Sequence, residues 1–391
     1  MQLQAEDLLI LSGIKIAPTQ AELKQINELI PQIKDWNYFT KTAIEHQAGP
    51  LLYKKLPLLS NSNMIPEAVQ GNFKQAWLKT LSRSMVLIEH FKKISEAFKS
   101  EQLPVIAMKG ILLSDWLYRE IGLRQFSDMD LLVKEEDSEK CLDILREMGY
   151  QSSEYTQSKF VKENTETVHF PPMIKNGVSI EIHIKIHRNS EPYHVNVAEL
   201  WEKAIPVTIH GVDTMAFNIN DLLLHLCLHL DKHFCNGKIQ FTCFYDIANL
   251  LEQHAAKIDW DQFKNICIRY NAIKQTYPYI LLTAKYMNAP IPESVRKEFG
   301  SLLSANKEFL LLKFMKCKMS VNYASSVLRS IKRFNNPLKG LRYLFEMIFP
   351  QKKFMVKRYK IKNPSLFFLY YPIRIGVGTR TMGSSFLNRF H

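Results

Sequence analysis

The chain has 391 residues, 46% of them hydrophobic, which is enough for a sizeable core and for two or three structural units. No apolar run reaches the roughly 18 residues that cross a bilayer, and the first residues lack the basic start of a secretory signal. The six cysteines form no CxxC pair, so we expect reduced thiols and a cytoplasmic location, with contact to a membrane surface left open.

The net charge of +13 is concentrated towards the end of the sequence. After residue 300 there are 18 Lys and Arg residues against two acidic residues, whereas the first 300 residues hold 33 basic and 36 acidic side chains. This asymmetry indicates a polyanionic neighbour, such as nucleic acid, an anionic membrane surface or a phosphorylated substrate. A solubilising charged face is the alternative explanation.

The first hundred residues have the pattern of helices. Apolar positions recur at helical spacing between residues 22 and 30. Pro66 suits the first turn of a long helix that runs to about Ser100. We therefore assign residues 1–100 to an N-terminal helical region.

The pattern then changes to strand, helix, strand and helix. These predicted elements span residues 104–108, 111–120, 128–133 and 135–148. Lys109-Gly110 separates the first two, and Gly149 stands at the C-cap position of the last helix. They begin a core that we assign to residues 101–215.

The same core contains a predicted β-hairpin. Asn176-Gly177 is a strong turn signal between strands expected at residues 168–170 and 178–186. The second strand alternates between an apolar face of Val and Ile and a polar face, and the polar positions are Ser179, Glu181, His183, Lys185 and His187.

The rest of the chain is predicted to be helical up to a basic tail. The clearest helical segments are residues 222–234 and 245–254, within a C-terminal helical domain assigned to 216–350. Residues 351–391 hold nine basic residues, no acidic residue and an aromatic cluster. This composition suits single-stranded RNA or an anionic membrane surface, unless the aromatic side chains pack onto the helical domain.

Two aspartates carry the clearest chemical signal. Asp128 and Asp130 are two residues apart on a predicted strand, so their side chains project to the same side. Carboxylates placed in this way can hold one hard cation or bridge two. Such pairs are often only solvated loop residues, but here a buried strand follows directly, and an unpaired carboxylate beside a core is costly.

A third carboxylate and a basic turn extend this candidate site. Glu181 lies on the polar face of its strand, and a neighbouring antiparallel strand would place it against the aspartates; an ordinary edge-strand position is the alternative. Lys109 and Gly110, at a strand-to-helix junction, fit a phosphate site, although a plain turn is the favoured interpretation of this pair taken alone. Arg124 could contact phosphate or pair with the acids.

Three histidines form a separate pattern. His225, His229 and His233 recur every four residues along one helix face, which could bind zinc or face the nucleotide site. The favoured interpretation is a helix surface without a ligand, because no acidic or cysteine ligand accompanies them clearly.

As a set, these segments resemble an uncharacterised bacterial nucleotidyltransferase family of the polymerase-β-like superfamily. The resemblance covers roughly residues 40–255. It rests on residues 46–53, 108–110, 122–124, 127–133, 147–150 and 180–183, on His225 to His233, and on Asp246. Lys109-Gly110 stands where the broader superfamily has Gly-Ser.

The resemblance implies an α+β fold with a nucleotidyltransferase-like mixed β-sheet core, flanking helices, and helical N-terminal and C-terminal regions. It also implies transfer of a nucleoside monophosphate from a nucleoside triphosphate, ATP above all, with Mg²⁺ or Mn²⁺ as cofactor. The metal ligands and catalytic residues would be Asp128, Asp130 and Glu181. Nucleotide binding would fall to Lys109, Gly110, Arg124 and Ser127.

The acceptor implied by the resemblance is a hydroxyl or phosphate on a small biosynthetic intermediate, a peptide or saccharide product, or a protein. Two alternatives remain. One is a non-catalytic nucleotide-binding scaffold of the same fold. The other is an RNA-directed transferase that uses the basic C-terminal third, which requires RNA binding that weakens steeply with salt.

Overall fold

The computed structural model describes residues 3–152, 168–189, 191–235, 241–316 and 336–376. The N-terminal region is helical, as predicted, with α1 Ala5–Gly13, α2 Gln20–Leu29, α3 Trp36–Glu45, α4 Gly49–Lys55 and α5 Glu67–Ser100. Side chains cap these helices where polar residues precede an apolar repeat. Thr19 and Glu22 form a capping box at the start of α2, and Asp35 accepts from two backbone amides at the start of α3.

Within the described residues, seven strands form one mixed sheet in the order β3-β4-β5-β2-β1-β7-β6. Their bounds are β1 Ile106–Met108, β2 Asp128–Leu132, β3 Gln151–Ser152, β4 Met173–Lys175, β5 Val178–His183, β6 Ile205–Ile209 and β7 Val212–Ala216. The β1·β7 and β2·β5 pairs are parallel and the remaining pairs are antiparallel. The mixed sheet with flanking helices confirms the expected α+β fold class.

The predicted order of strand, helix, strand and helix is confirmed. Helix α6 spans Lys109–Trp116 and helix α7 spans Ser138–Glu147. Gly149 has a φ of +84°, and its amide donates to the carbonyl of Arg146, so it ends α7 in the left-handed conformation that glycine adopts readily.

The predicted hairpin is present, but its strands differ from the expected ones. Asn176 and Gly177 both have positive φ, as a tight turn between twisted strands requires. The prediction of a strand at residues 168–170 is wrong. The Asn176-Gly177 turn connects β4 to β5, and His169 forms only an isolated bridge to His183. Strand β5 ends at His183 instead of residue 186.

The β6–β7 hairpin was missed by the sequence analysis. Its turn, His210-Gly211, again has two positive φ values, 50° and 78°. Pro206 lies within β6 and weakens its strand signal in the sequence, and most of the strand is exposed in the structure.

Helices follow the sheet, as predicted for residues after about 220. Their bounds, with α8 between β5 and β6, are α8 Val197–Glu202, α9 Ile219–Cys235, α10 Phe241–His254, α11 Trp260–Arg269, α12 Ile273–Met287, α13 Glu293–Phe299, α14 Ala305–Lys316, α15 Pro337–Ile348 and α16 Lys352–Tyr359. The predicted tail therefore begins with a helix, and Arg380 and Arg389 lie outside the described residues. No helix in the described ranges is long and apolar enough to cross a membrane.

One continuous apolar core connects the N-terminal helices, the sheet and the C-terminal helices. It extends in sequence from Leu9 to Met315. The five described cysteines are all free, and Cys317 lies outside the described residues. The division of the chain into four units stays a prediction.

Candidate active site

The pairing of β2 with β5 brings the predicted carboxylates together. Asp130 lies directly opposite Glu181, and Asp128 lies opposite Ser179. We predicted that an antiparallel neighbour of β2 would carry Glu181. This prediction is wrong, because β5 runs parallel to β2. The antiparallel neighbour of β2 is β1, whose Met108 lies opposite Asp130.

Asp130 is buried between Lys109 and His183. Its carboxylate is 4% exposed and accepts from Nζ of Lys109 at 2.7 Å and from Nε2 of His183 at 2.8 Å. Burial alone would raise the pKa of Asp130, but the charge of Lys109 and the hydrogen bond from His183 outweigh it and hold that pKa well below its usual range. Asp130 is therefore a permanent carboxylate.

Asp128 lies in the opposite electrostatic situation. Burial raises the pKa of its carboxyl group, and the negative charges of Asp130 and Glu181 raise it further. In the part of the chain that the structure describes, Asp128 accepts a side-chain hydrogen bond from Oγ of Ser127, which is long at 3.4 Å. Across the described ranges no cation forms an ion pair with Asp128, and the positive charge of Lys109 lowers its pKa without reversing the rise. A bound cation would stabilise a partly buried carboxylate in this position.

Two histidines extend the cluster around Glu181. Nε2 of His183 lies 3.5 Å from Oε2 of Glu181, and Nδ1 of His169 lies 3.7 Å from the same oxygen. Burial lowers the pKa of His183, but its bonds to Asp130 and Glu181 outweigh burial and raise the pKa overall. Burial raises the pKa of Glu181, but the hydrogen bond with His183 and the charges of His169 and His183 together outweigh burial and lower it overall.

The donor set fits a divalent cation. Asp130, Glu181 and His183 each offer one ligand atom, and these atoms all lie within 4.8 Å of one another. Carboxylate oxygens suit Mg²⁺ and Mn²⁺, and the imidazole suits the softer of the two. Asp128 adds a further carboxylate, whose pKa is raised by burial and by the charges of Asp130 and Glu181.

Lys109 and Gly110 begin α6 beside this cluster. Lys109 has a φ of +48° and its ammonium group contacts Asp130, so the lysine predicted for phosphate lies at the carboxylates. A Cβ atom on Gly110 would lie 2.6 Å from Cβ of Phe126. Gly110 therefore allows close packing against Phe126. The sequence had suggested that this glycine forms part of a phosphate site.

Arg124 is placed away from the carboxylates of β2 and β5. Its guanidinium group donates to both oxygens of Asp246 on α10, at 2.9 and 2.7 Å, and is 8% exposed. Tyr118 donates to the same aspartate at 3.0 Å. Of the two roles considered for Arg124, the structure gives it a pairing role, with an acid that the sequence analysis did not connect to it.

Two histidines of α9, His225 and His229, interact electrostatically with Lys109 and Asp130 of the cluster. Burial lowers the pKa of His225 to about 3, and the positive charge of Lys109 adds to this effect. Nε2 of His229 and Nε2 of His233 lie 3.1 Å apart. Neither of them belongs to a group of three possible metal ligands in the described chain, so the zinc interpretation gains no support there.

His183 and Arg83 were missed as site residues. His183 stands two positions after Glu181 on the polar face of β5, and a polar side chain on a buried strand is the signal that could have identified it. Arg83 on α5 donates to the carbonyls of Ser127 and Gly177, at 2.8 and 2.9 Å, and no local sequence pattern reveals such a contact.

Comparisons with known proteins identify the family of the chain. A family model described as uncharacterised nucleotidyltransferase matches residues 32–288, a range that contains every residue of the candidate site. A comparison with curated proteins and a comparison with solved structures gave no match.

Proposed function

The chain belongs to the uncharacterised nucleotidyltransferase family, and from this premise we propose that it transfers a nucleoside monophosphate from a nucleoside triphosphate to a hydroxyl or phosphate acceptor. Pyrophosphate is the second product. The observation that carries this proposal is the carboxylate of Asp128, which forms no ion pair in the described chain, has a raised pKa and lies beside the Asp130–Glu181 pair.

Asp128, Asp130 and Glu181 would hold the cofactor, Mg²⁺ or Mn²⁺, with His183 as a further donor. A divalent cation bound there supplies charge neutralisation for the triphosphate and for the leaving pyrophosphate. The raised pKa of Asp128 supports this assignment, since a cation would relieve the repulsion between Asp128 and its acidic neighbours.

Lys109 would exchange partners when a nucleotide binds. In the structure its ammonium group neutralises Asp130 at 2.7 Å. A cation on Asp130 would compete for that oxygen and leave the ammonium group available for a phosphate oxygen of the nucleotide. The amides at the start of α6 and Ser127, one residue before Asp128, would contribute hydrogen-bond donors.

Glu181 and His183 would handle the proton of the acceptor. Glu181 is a carboxylate at neutral pH, because its pKa is lowered, and it lies less deeply than Asp130. It is therefore the favoured base for an acceptor hydroxyl, and His183 would orient it. Arg124 would act at a distance, since its pair with Asp246 fixes the loop that leads into β2.

ATP is the favoured donor, and the acceptor would be a small biosynthetic intermediate, a peptide or a protein. A non-catalytic nucleotide-binding scaffold is the second candidate, because Lys109 and His183 already neutralise Asp130 without a metal.

The test is incubation of the purified protein with each α-labelled triphosphate, Mg²⁺ or Mn²⁺ and a cell extract, with identification of labelled products and of pyrophosphate. We expect one labelled product that Asp128→Asn and Asp130→Asn abolish. Asp143→Asn, at an exposed position on α7, is the matched control and should keep full turnover. Labelled product in both site variants would contradict the assigned site, and nucleotide binding without turnover would favour the scaffold.

A further inference from the structure

The C-terminal residues 336–376 form a small packed unit of their own. Met355 and Ile361 are buried within it. Tyr371 donates to the carbonyl of Pro350 at 2.7 Å, and Arg374 donates to the carbonyl of Met347. These bonds hold the chain after residue 370 against the end of α15, so the unit has an inner side that is already filled.

Helix α15 carries an apolar face that is exposed. Four large apolar side chains follow one another at spacings of three, four and three residues, which places them along one side of a helix. They are Leu338, Leu341, Phe345 and Ile348, exposed by 73%, 60%, 61% and 43%. Gly340, on the other side of the helix, is buried.

Further apolar side chains of the unit are equally uncovered. Beyond α15 the exposed members are Phe349, Leu366, Phe368, Leu369, Ile373 and Ile375. So many exposed apolar groups within about forty residues indicate an interaction surface, because single exposed apolar residues are ordinary but clusters are not.

The charge of the unit selects the partner. Residues 336–376 contain nine Lys and Arg residues and a single acid, Glu346. The Lys side chains and Arg342 and Arg358 are exposed. A second copy of the unit would carry the same positive charge and repel it, whereas an anionic partner is attracted.

We propose that residues 336–376 dock on an anionic lipid surface, with the apolar face of α15 inserted among the acyl chains and the surrounding cations against the headgroups. Interfacial helices have this combination of an apolar face and flanking Lys and Arg. Of the ten exposed apolar side chains, seven are aliphatic. Aliphatic groups gain little from nucleic-acid bases, which bind by stacking on aromatic rings.

The experiment is flotation of the full-length protein with vesicles of phosphatidylcholine alone or with about one third phosphatidylserine, at several salt concentrations. We expect binding to the anionic vesicles that weakens with salt. Leu338→Gln with Leu341→Gln should weaken this binding at least about tenfold. Lys352→Gln with Lys362→Gln should weaken it by about fivefold for each cation that contacts the surface.

The matched control is Leu58→Gln with Ile268→Gln, which changes two side chains of similar exposure, 55% and 56%, outside the unit. It should bind vesicles like the unchanged protein. Three results would overturn the proposal: absence of binding to anionic vesicles at low salt, binding that the Leu338 and Leu341 changes leave intact, or a concentration-dependent dimer without vesicle binding. Stronger binding to poly(U) than to vesicles, unaffected by the leucine changes, would also overturn it and identify RNA as the partner.

Discussion

At the scale of single residues, the two aspartates of β2 differ in how the chain balances their charge. Asp130 has Lys109 and His183 as partners, whereas Asp128 has no ion-pair partner among the residues described. Removal of either charge would prevent the proposed cation binding. We expect the two changes to affect stability differently, with no loss for Asp128 and a loss for Asp130. Stability and activity can therefore be separated at this site.

We expect Asp128→Asn to preserve or increase the free energy of unfolding, because it removes a carboxylate whose pKa is raised by burial and by negative neighbours. Asp130→Asn should cost about 3–5 kcal/mol, since it leaves the ammonium group of Lys109 buried without its partner. Urea denaturation of both variants measures the difference. Equal losses of stability would contradict the charge balance described for β2.

Glu181 has a separate expected signature. Its change to Gln keeps the shape but removes the base, so the chemical step should slow by about 10²–10⁴-fold while nucleotide affinity changes much less. Single-turnover kinetics and equilibrium nucleotide binding distinguish the two effects. Glu139→Gln, on the exposed side of α7, is the control. Near-normal turnover of the Glu181 variant would show that Glu181 is not the base.

At the scale of secondary-structure elements, a buried ion pair joins the loop before β2 to α10. Arg124 and Asp246 are 8% and 1% exposed, and the pair also receives a hydrogen bond from Tyr118. Because buried charges are stable only with their partners, this contact fixes the distance between α10 and the start of β2.

Asp246→Asn should therefore lower the free energy of unfolding by about 3–5 kcal/mol and reduce turnover although Asp246 is not at the carboxylates. Chemical denaturation and the nucleotidyl-transfer assay measure the two effects. Asp213→Asn affects an exposed acid that pairs loosely with Lys99 at 3.9 Å, and we expect it to change neither quantity measurably. A stable and fully active Asp246 variant would show that the Arg124–Asp246 pair does not position the start of β2.

The elements themselves were more predictable than their pairing. The spacing of Asp128 and Asp130, the Asn176-Gly177 turn and the Gly149 cap are local signals, and each produced the expected element. The parallel pairing of β2 with β5 depends on contacts between distant parts of the chain, which no local pattern encodes. For the same reason, Lys109 was expected at a phosphate, and Arg124 at a phosphate or at the acids of β2. The contacts of Lys109 with Asp130 and of Arg124 with Asp246 could not be read from the sequence.

At the scale of the whole molecule, the N-terminal helices contain a titrating group in the core. Lys55 is 4% exposed, and its ammonium group donates to the carbonyl of Lys15. Burial lowers the pKa of Lys55 to about 8, while Glu22 opposes this effect weakly. In the unfolded chain the same group titrates near its ordinary value of about 10.4.

Between these two pKa values the unfolded state binds more protons than the folded state, so this group makes stability rise with pH. We expect the unfolding free energy of the protein, relative to that of Lys55→Met, to increase by about 2 kcal/mol from pH 7 to pH 10. Denaturation at a series of pH values measures it. A difference that is constant or falls over this range would mean that the pKa of Lys55 is not lowered in the folded protein, as for a well-paired ammonium group.

The parallel register of β2 and β5 also limits how sequences of this kind can change in length. A slip of one residue in β5 would turn Glu181 away from Asp130 and present Ile180 or Ile182 to the cluster, because successive side chains of a strand point to opposite faces. Insertions and deletions in the connection between Leu132 and Val178 change the length of that connection. They do not change which residues of β2 and β5 pair. One added residue between Val178 and Glu181 would have the effect of an active-site substitution, although every original side chain would still be present.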